Sequence, residues 1–583
     1  MARPSALLLT AATLLLALAS LLRFGGIDYL LPLVIEPDAH IPVQVRLMEE
    51  GLEHPEQDRD YGKYPHLVAW TTRALTPRRE WGSVAPASGL EDHLELATYA
   101  VLRVRIAVAL LSLLVLPATW FLARLYLSNP FALLATGLVA TSLLALHFGT
   151  EARPHGAAVS FSTLAVAGCV WLARRRDVPA TLIAGLFVAL AVGSLQSGVA
   201  TLIPLGVAHL IATRGHGWRG QWKLFLMLPL VAASVLIFYP FLFAESVGHD
   251  VAQVELSGGV LNQSGHKLFL SLFNGGGVPV LLRALWSWEP ALFLGSGLGL
   301  IVFVIDRLCR TRGTMGTSCE YWVILSYVVP YAFVILLYER SYERFLLPLV
   351  PFLAILTSWS ISRVGTLRAG VGGRALSLGL STLVLGFPTL VGLKLVSIRR
   401  APSTIELAAR FVEECVEDSS TEVVLTRPLC LPLFKSKALA KKGSKVRPDR
   451  GVGWISYQRD VLGETCPEPS YDLTWIPYRY VAILDKEGGR GAELIDSLSG
   501  RFCIMEVFVE NRITKGLTRL CRAMRANRER ILRISPDGDP DSSGAPLHYQ
   551  DDVLVTLPLF AWRVLHAERM GPVLEVYRLD EGP

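Results

Sequence analysis

The chain has 583 residues, 52% of them hydrophobic and only 18% charged, with 56 basic and 50 acidic side chains and a formal charge of +6. A soluble globular chain carries about 25% charged residues; here apolar runs of about 18 residues recur between short charged loops, the pattern of a multi-pass membrane protein. The basic excess is too small to argue for nucleic-acid binding, so no nucleic-acid partner is expected, and the information lies in where the basic residues sit.

In chain order, the first apolar run is Ala6 to Leu22. It contains "LALAS", which has the form of a signal-peptide cleavage site. Many spans and a polar cluster follow it, so it reads as a retained transmembrane helix. Eleven spans are expected, near residues 5–22, 103–125, 130–147, 156–173, 179–195, 198–213, 223–243, 288–305, 321–338, 345–361 and 376–396. With a cytoplasmic N-terminus, the inside loops hold Arg124, Arg174 to Arg176, Arg214, Arg219 and Lys223, then Arg307, Arg310 and Arg312, then Arg363, Arg368 and Arg374. The positive-inside rule is met at nearly every short loop in this orientation and broken repeatedly in the reverse one. The loop 24–102, the turn from His147 to His155 and everything after about residue 397 are then extracytoplasmic.

Residues 398–583 differ in composition. "STIELAARFVEEC" has helical spacing, with Ser403 as N-cap and Ile405, Ala408, Ala409 and Val412 on one face. Short β-like runs follow at Glu422–Thr426, Tyr480–Asp485, Phe502–Glu510 and Val573–Leu579. Helix followed by strands predicts a small α/β domain. Five of the eight cysteines fall here, Cys415, Cys430, Cys466, Cys503 and Cys521. An oxidising compartment would permit one or two disulfides and leave at least one thiol unpaired within the chain.

Three polar stretches lie on the expected outer side. "VIEPDAHIPV" holds Glu36 and Asp38, and "YGKYPHL" holds Lys63, Tyr64 and His66. An ionised carboxylate beside a membrane must face water or a partner, although Asp38 would serve equally as an N-cap. "GTEARPHG" packs Glu151, Arg153 and His155 into a short turn that could equally be a solvated Glu–Arg pair. "YERSYERF" places Arg340 and Arg344 outside, against the charge bias; its tyrosines would anchor at the interface, and its guanidinium forks suit a lipid phosphate. The chain has no P-loop, no dinucleotide fingerprint and no HExxH, and "FNGGGVP" lacks the spacing of a phosphate cradle.

Taken in order, these stretches resemble the polytopic glycosyltransferases of the GT-C superfamily, most closely bacterial glycosyltransferase family 39, which includes protein O-mannosyltransferases and lipid A aminoarabinose transferases. "EPDAH" takes the place of the family's acidic motif in the first outside loop, and "ARPHGAAVSFSTLAVAG" resembles its Arg-Pro-Asp turn. "YERFLLPLVPFLAIL" resembles its "RYLLPL" stretch, and "APSTIELAARFVEE" and "GPVLEVYRL" resemble the head and close of its tail. Two positions depart: Ala39 stands where the second acid of the acidic pair is expected, and His155 where the acid of the turn is expected.

The resemblance implies a polytopic α-helical membrane protein of the GT-C fold with about eleven transmembrane helices. It comprises a transmembrane catalytic domain, 1–397, and a small extracytoplasmic α/β domain, 398–583, in the cell (inner) membrane. It also implies an inverting transfer of a sugar from a polyprenyl-phosphate-linked donor to a hydroxyl on a lipid, glycan or protein acceptor. Asp38 is the implied general base, with Arg340, Arg344 or Lys63 on the phosphate. Glu36, Tyr64, His66, Glu151, Arg153 and His155 are implied to line the cavity. A divalent metal on Glu36, Asp38 and His155 is allowed and not required. A transporter or flippase, and a non-catalytic glycolipid-binding member of the fold, are the competing readings. The first would be expected to show internal repeats or mid-membrane charges; the second is kept open by Ala39.

Overall fold

The computed structural model describes residues 6–36, 40–51, 62–214, 222–240, 255–257, 260–263, 266–309, 319–367, 371–415, 422–425, 430–435, 452–462, 467–475, 495, 498, 500–507, 515–538 and 560–579. Asp38 and the run Tyr480–Asp485 lie outside the described residues.

The helices before the sheet are α1 (Ala6–Phe24), α2 (His40–Glu50), α3 (Leu67–Leu75), α4 (Leu90–Ser112), α5 (Val115–Ala123), α6 (Asn129–Thr141), α7 (Leu143–Phe148), α8 (His155–Arg175), α9 (Val178–Ser194), α10 (Leu202–Thr213), α11 (Leu224–Phe238), α12 (Gly277–Trp288), α13 (Pro290–Cys309), α14 (Cys319–Leu337), α15 (Val350–Leu367) and α16 (Val371–Arg400). Among the described residues, seven helical segments are long and apolar enough to cross a membrane, or eight with the pair α12 and α13, which bends by 118° at Glu289. The other three expected spans are shorter apolar helices, α6, α9 and α11, of 13, 17 and 15 residues. At about 1.5 Å per residue each falls short of the roughly 30 Å hydrocarbon thickness. The protein is therefore a polytopic helical membrane protein with, among the described residues, seven to eight candidate full spans; three of the eleven expected spans are the shorter apolar helices.

Charged side chains lock the bundle together. Arg23 at the end of α1 donates to Ser112 Oγ (2.9 Å) and to the carbonyls of Ala19 and Ala140 (3.2 Å each), joining α1, α4 and α6. Arg103 of α4 grips Glu49 of α2 through two nitrogens at 2.7 and 2.8 Å. Glu289, in the break between α12 and α13, accepts from Ser142 Oγ (2.6 Å) and the Leu144 amide (2.8 Å), satisfying the start of α7.

After α16 comes a mixed sheet. Helix α17 (Thr404–Cys415) begins with a capping box: the Ser403 amide donates to Glu406 Oε2 (2.6 Å) and the Glu406 amide to Ser403 Oγ (3.2 Å). Its buried face is Ile405, Ala408, Ala409 and Val412, as its spacing predicts. The strands are β4 (Glu422–Leu425), β5 (Phe434–Lys435), β6 (Ser470–Trp475), β7 (Phe502–Val507), β8 (Arg530–Ile534) and β9 (Val573–Arg578), in the order β5-β6-β4-β7-β9-β8. Pairs β5–β6, β6–β4 and β4–β7 are parallel, whereas β9 runs antiparallel to both β7 and β8. Alternation along β7 splits its faces. Phe502 and Ile504 join the α17 core, and Cys503 and Met505 join Leu520, Cys521 and Met524 of the helix Lys515–Asn527, here α18. Two further features fall where no element is expected. One is an antiparallel meander, β1 (Glu255–Ser257), β2 (Val260–Gln263) and β3 (His266–Phe269). The other is a short helix α19 (Phe560–His566).

This sheet domain docks on the first loop. The Trp454 amide donates to the Pro32 carbonyl (3.0 Å), His93 Nδ1 lies 2.8 Å from Tyr457 Oη, and Arg46 pairs with Asp460 at 3.1 Å. Cys415, Cys503 and Cys521 are free thiols, and no disulfide joins two of the described cysteines. Cys466 is outside the described residues.

Candidate functional site: a buried charge network beside a polar cavity

The loop leaving α1 carries Glu36 into the protein. Its carboxylate accepts from Arg105 Nε of α4 at 2.7 Å and from the Ala152 amide at 3.3 Å. Arg105 also donates to the carbonyls of Ile27 (2.8 Å) and Tyr29 (2.9 Å), and its guanidinium sits 4.4 Å from the Tyr29 ring centre. The Arg399 guanidinium, from the far end of α16, lies 4.3 Å from the same ring. Burial raises the Tyr29 phenol, with Arg399 and Arg105 opposing.

The turn between α7 and α8 supplies a second pair. Glu151 is 2.9 Å from His147 Nε2, one helical turn earlier, and 3.8 Å from Arg153 Nε, with both Glu151 and Arg153 side chains fully buried. Burial alone would raise the Glu151 carboxyl. The neighbouring His147 and Arg153 outweigh it and hold the group below the ordinary carboxylate range. Glu343 opens the 3₁₀ helix Glu343–Leu349, is also fully buried, and is within electrostatic reach of Glu151 and Arg153. Three acids thus face three guanidinium groups in one buried region. Desolvating an ion is costly, and such groups persist only when paired or given a task. His147 lies 5.1 Å from Trp288, which stacks on Phe560 of α19 at 3.8 Å. The Phe560 amide donates to Ser287 Oγ at 2.8 Å, so the C-terminal domain roofs this cluster.

Beside the network is a cavity of about 230 Å³ lined by Tyr64, His155, Ser162, Gln196, Tyr331 and Arg344, among others. Tyr64 is held by Gln44 Nε2 on its carbonyl (2.9 Å), and the segment by Gln196 Nε2 on the Lys63 carbonyl (3.0 Å). Arg344 spreads over the Tyr342 ring at 4.3 Å. The cavity therefore joins three stretches far apart in the chain.

The expected site residues separate as follows. Tyr64, His155 and Arg344 meet at the cavity. Glu36, Glu151 and Arg153 belong to the buried network. His66 is buried at the start of α3, its amide donating to the Phe238 carbonyl at 2.9 Å. The Lys63 side chain is half-buried. Arg340 is exposed, lies 4.8 Å over Phe269 of the meander and is not among the residues that line this cavity, whereas Arg344 is. Arg105, Arg399, Tyr29 and His147 are participants that motif reading missed; an arginine inside an apolar run, as Arg105 is, was the available signal.

Among the described residues, no group of three or more His, Cys, Asp or Glu is arranged to hold a metal ion. Glu36 already bonds Arg105, a cation that would repel a second cation at the same carboxylate. Asp38 of the set Glu36, Asp38 and His155 lies outside the described residues.

The architecture and site define a class: a polytopic membrane protein with a mixed-sheet domain docked over a buried charge network and a polar cavity. No protein-family model matches the sequence, and neither does any curated protein. Solved structures similar to the chain include ArnT from Cupriavidus metallidurans bound to undecaprenyl phosphate, at 13% identity over 89% of this chain and 95% of that one, with a TM-score of 0.42. Another is the archaeal oligosaccharyltransferase AglB from Archaeoglobus fulgidus in complex with an inhibitory peptide and a dolichol-phosphate, at 12% identity over 95% and 77%, TM-score 0.44. A third is the arabinofuranosyltransferase AftD from Mycobacteria, at 14% identity over 100% and 40%, TM-score 0.36.

Proposed function

We propose that the protein is a GT-C-type inverting glycosyltransferase, similar in its motifs to family 39. It moves a sugar from a polyprenyl-phosphate donor to an acceptor hydroxyl at the extracytoplasmic membrane face. One observation carries this reading: Tyr64, His155 and Arg344, from the three stretches in which the family resemblance resides, line one cavity. In the step, the acceptor oxygen forms a bond to the anomeric carbon as the bond from that carbon to the phosphate oxygen breaks. The acceptor proton passes to a carboxylate, for which Asp38 is the assigned group. Arg344 stabilises the charge on the leaving lipid phosphate. The Glu36–Arg105 pair holds the chain that leads into Asp38, and Arg340 has no part in the site.

The test is to incubate the purified full-length protein with a panel of polyprenyl-phosphate sugars and to score released lipid phosphate and glycosylated product by mass. One donor should be consumed. Asp38→Asn should slow transfer by about 10²–10⁴-fold while eluting and melting as the wild type does. Transfer at the wild-type rate by this variant would sink the assigned base, and no turnover of any donor would sink the reading.

A further inference from the structure

A second, larger cavity of about 680 Å³ lies between α1, α6, α15 and α16. It uses the opposite ends of these helices from the charge network. Arg374, which lines it, and Arg399, which lies over Tyr29, are 25 residues apart on α16. That is a rise of about 37 Å, enough to cross the roughly 30 Å hydrocarbon layer. On α1, likewise, Ala11 and Leu15 line the groove whereas Arg23 lies at the other end.

The lining is divided chemically. Leu15, Phe131, Leu134 and Leu385 form apolar walls, and the exposed Leu378 extends them toward the bilayer. Ser362, Ser377, Ser381 and Thr382 add hydroxyls, and Arg374 is exposed and is the charged residue of the lining. Among the described residues that line this groove, none is acidic. Ser362 and Ser377 donate their hydroxyl hydrogens to the carbonyls of Trp359 (2.7 Å) and Ile361 (3.2 Å), which leaves Arg374 as the charged donor for an anion among the described groups. Gly137 brings α6 against α16: a Cβ there would meet Leu385 at 3.1 Å, closing the inner end.

An apolar trough that opens to lipid and ends in the exposed Arg374 guanidinium, with no acid among its described lining residues, complements an amphiphile with an anionic head. We infer that the groove binds one anionic glycerophospholipid of the membrane leaflet opposite the charge network. Its phosphate lies on Arg374, and an acyl chain lies between Leu15, Phe131 and Leu385. The inference is independent of the proposed transfer reaction.

The experiment is native mass spectrometry of full-length protein released from nanodiscs that contain phosphatidylcholine with a minority of phosphatidylglycerol. The wild type should retain one phosphatidylglycerol, enriched about fivefold over the bulk ratio, as expected for one basic side chain at an anionic headgroup. Arg374→Gln should return the ratio to the bulk value, and Arg374→Lys should keep most of the enrichment. Ser381→Trp, which fills the trough and leaves the cation in place, should remove the lipid altogether and reports even if Arg374→Gln does not fold. Bulk-ratio lipids on the wild type, wild-type enrichment in Arg374→Gln, or a lipid retained by Ser381→Trp would each overturn the inference.

Discussion

The Glu36–Arg105 pair can be separated from the chemistry by a double-mutant cycle. Arg105 is 1% exposed and makes three hydrogen bonds, to the Glu36 carboxylate at 2.7 Å and to the carbonyls of Ile27 and Tyr29. Glu36→Ala removes the carboxylate and leaves a buried guanidinium without its counter-ion, at a cost of about 3–5 kcal/mol. Arg105→Met leaves the Glu36 carboxylate with the long Ala152 amide contact and strips a donor from two buried carbonyls, at a similar or larger cost. Glu36→Ala with Arg105→Met removes both charges, so the remaining loss is chiefly the two carbonyl bonds, about 1 kcal/mol each. The double variant should therefore be more stable than either single one. Equilibrium unfolding in mixed micelles, followed by tryptophan fluorescence, measures all three. Additive losses would refute a structural ion pair. So would unchanged stability of Glu36→Ala accompanied by a shifted pH–rate profile, which would instead return Glu36 to the role of a proton-transfer group.

Two further outcomes follow from the geometry. Arg344→Gln should lower kcat/KM for a lipid-phosphate donor by about 10–100-fold, the equivalent of one charge-assisted hydrogen bond, whereas Arg340→Gln should stay near wild type; equal losses in steady-state assays would contradict the separation of the two arginines. In the sheet domain, Glu575 is fully buried and bonds Arg525 at 2.8 and 3.0 Å, Arg530 at 3.2 Å and Tyr577 Oη at 2.5 Å. Burial raises its carboxyl, but Arg525 and the Tyr577 hydroxyl outweigh this and hold it below the ordinary value. Its stabilisation is thus complete above about pH 4.3, the unfolded-state value, and is lost as pH falls through the lower folded value. Thermal melts of the wild type and Glu575→Gln should accordingly converge as pH drops below about 4; a constant gap would refute the linkage.

Composition and local period determined much of this protein. Apolar run length placed a helix at each of the eleven expected positions, because a segment in hydrocarbon must satisfy its own backbone. The Ser403–Glu406 capping box and the buried face of α17 were legible because they depend on neighbours three and four residues away. Strands β4, β7 and β9 showed as apolar β-branched runs, whereas β8, with arginines at 530 and 533, did not, because those arginines pair with Glu575 more than forty residues away. The three polar stretches were visible, but their partition was not. Glu36 meets Arg105 across 69 residues, a pairing that only the fold shows. Arg340 and Arg344 look equivalent in "YERSYERF", and only the chain's path through the 3₁₀ helix sends one to the cavity and the other to Phe269. Periodicity reports the side of an element on which a residue sits; which distant charge it meets there is decided by tertiary packing, since burying an ion is tolerable only where a partner has also been brought.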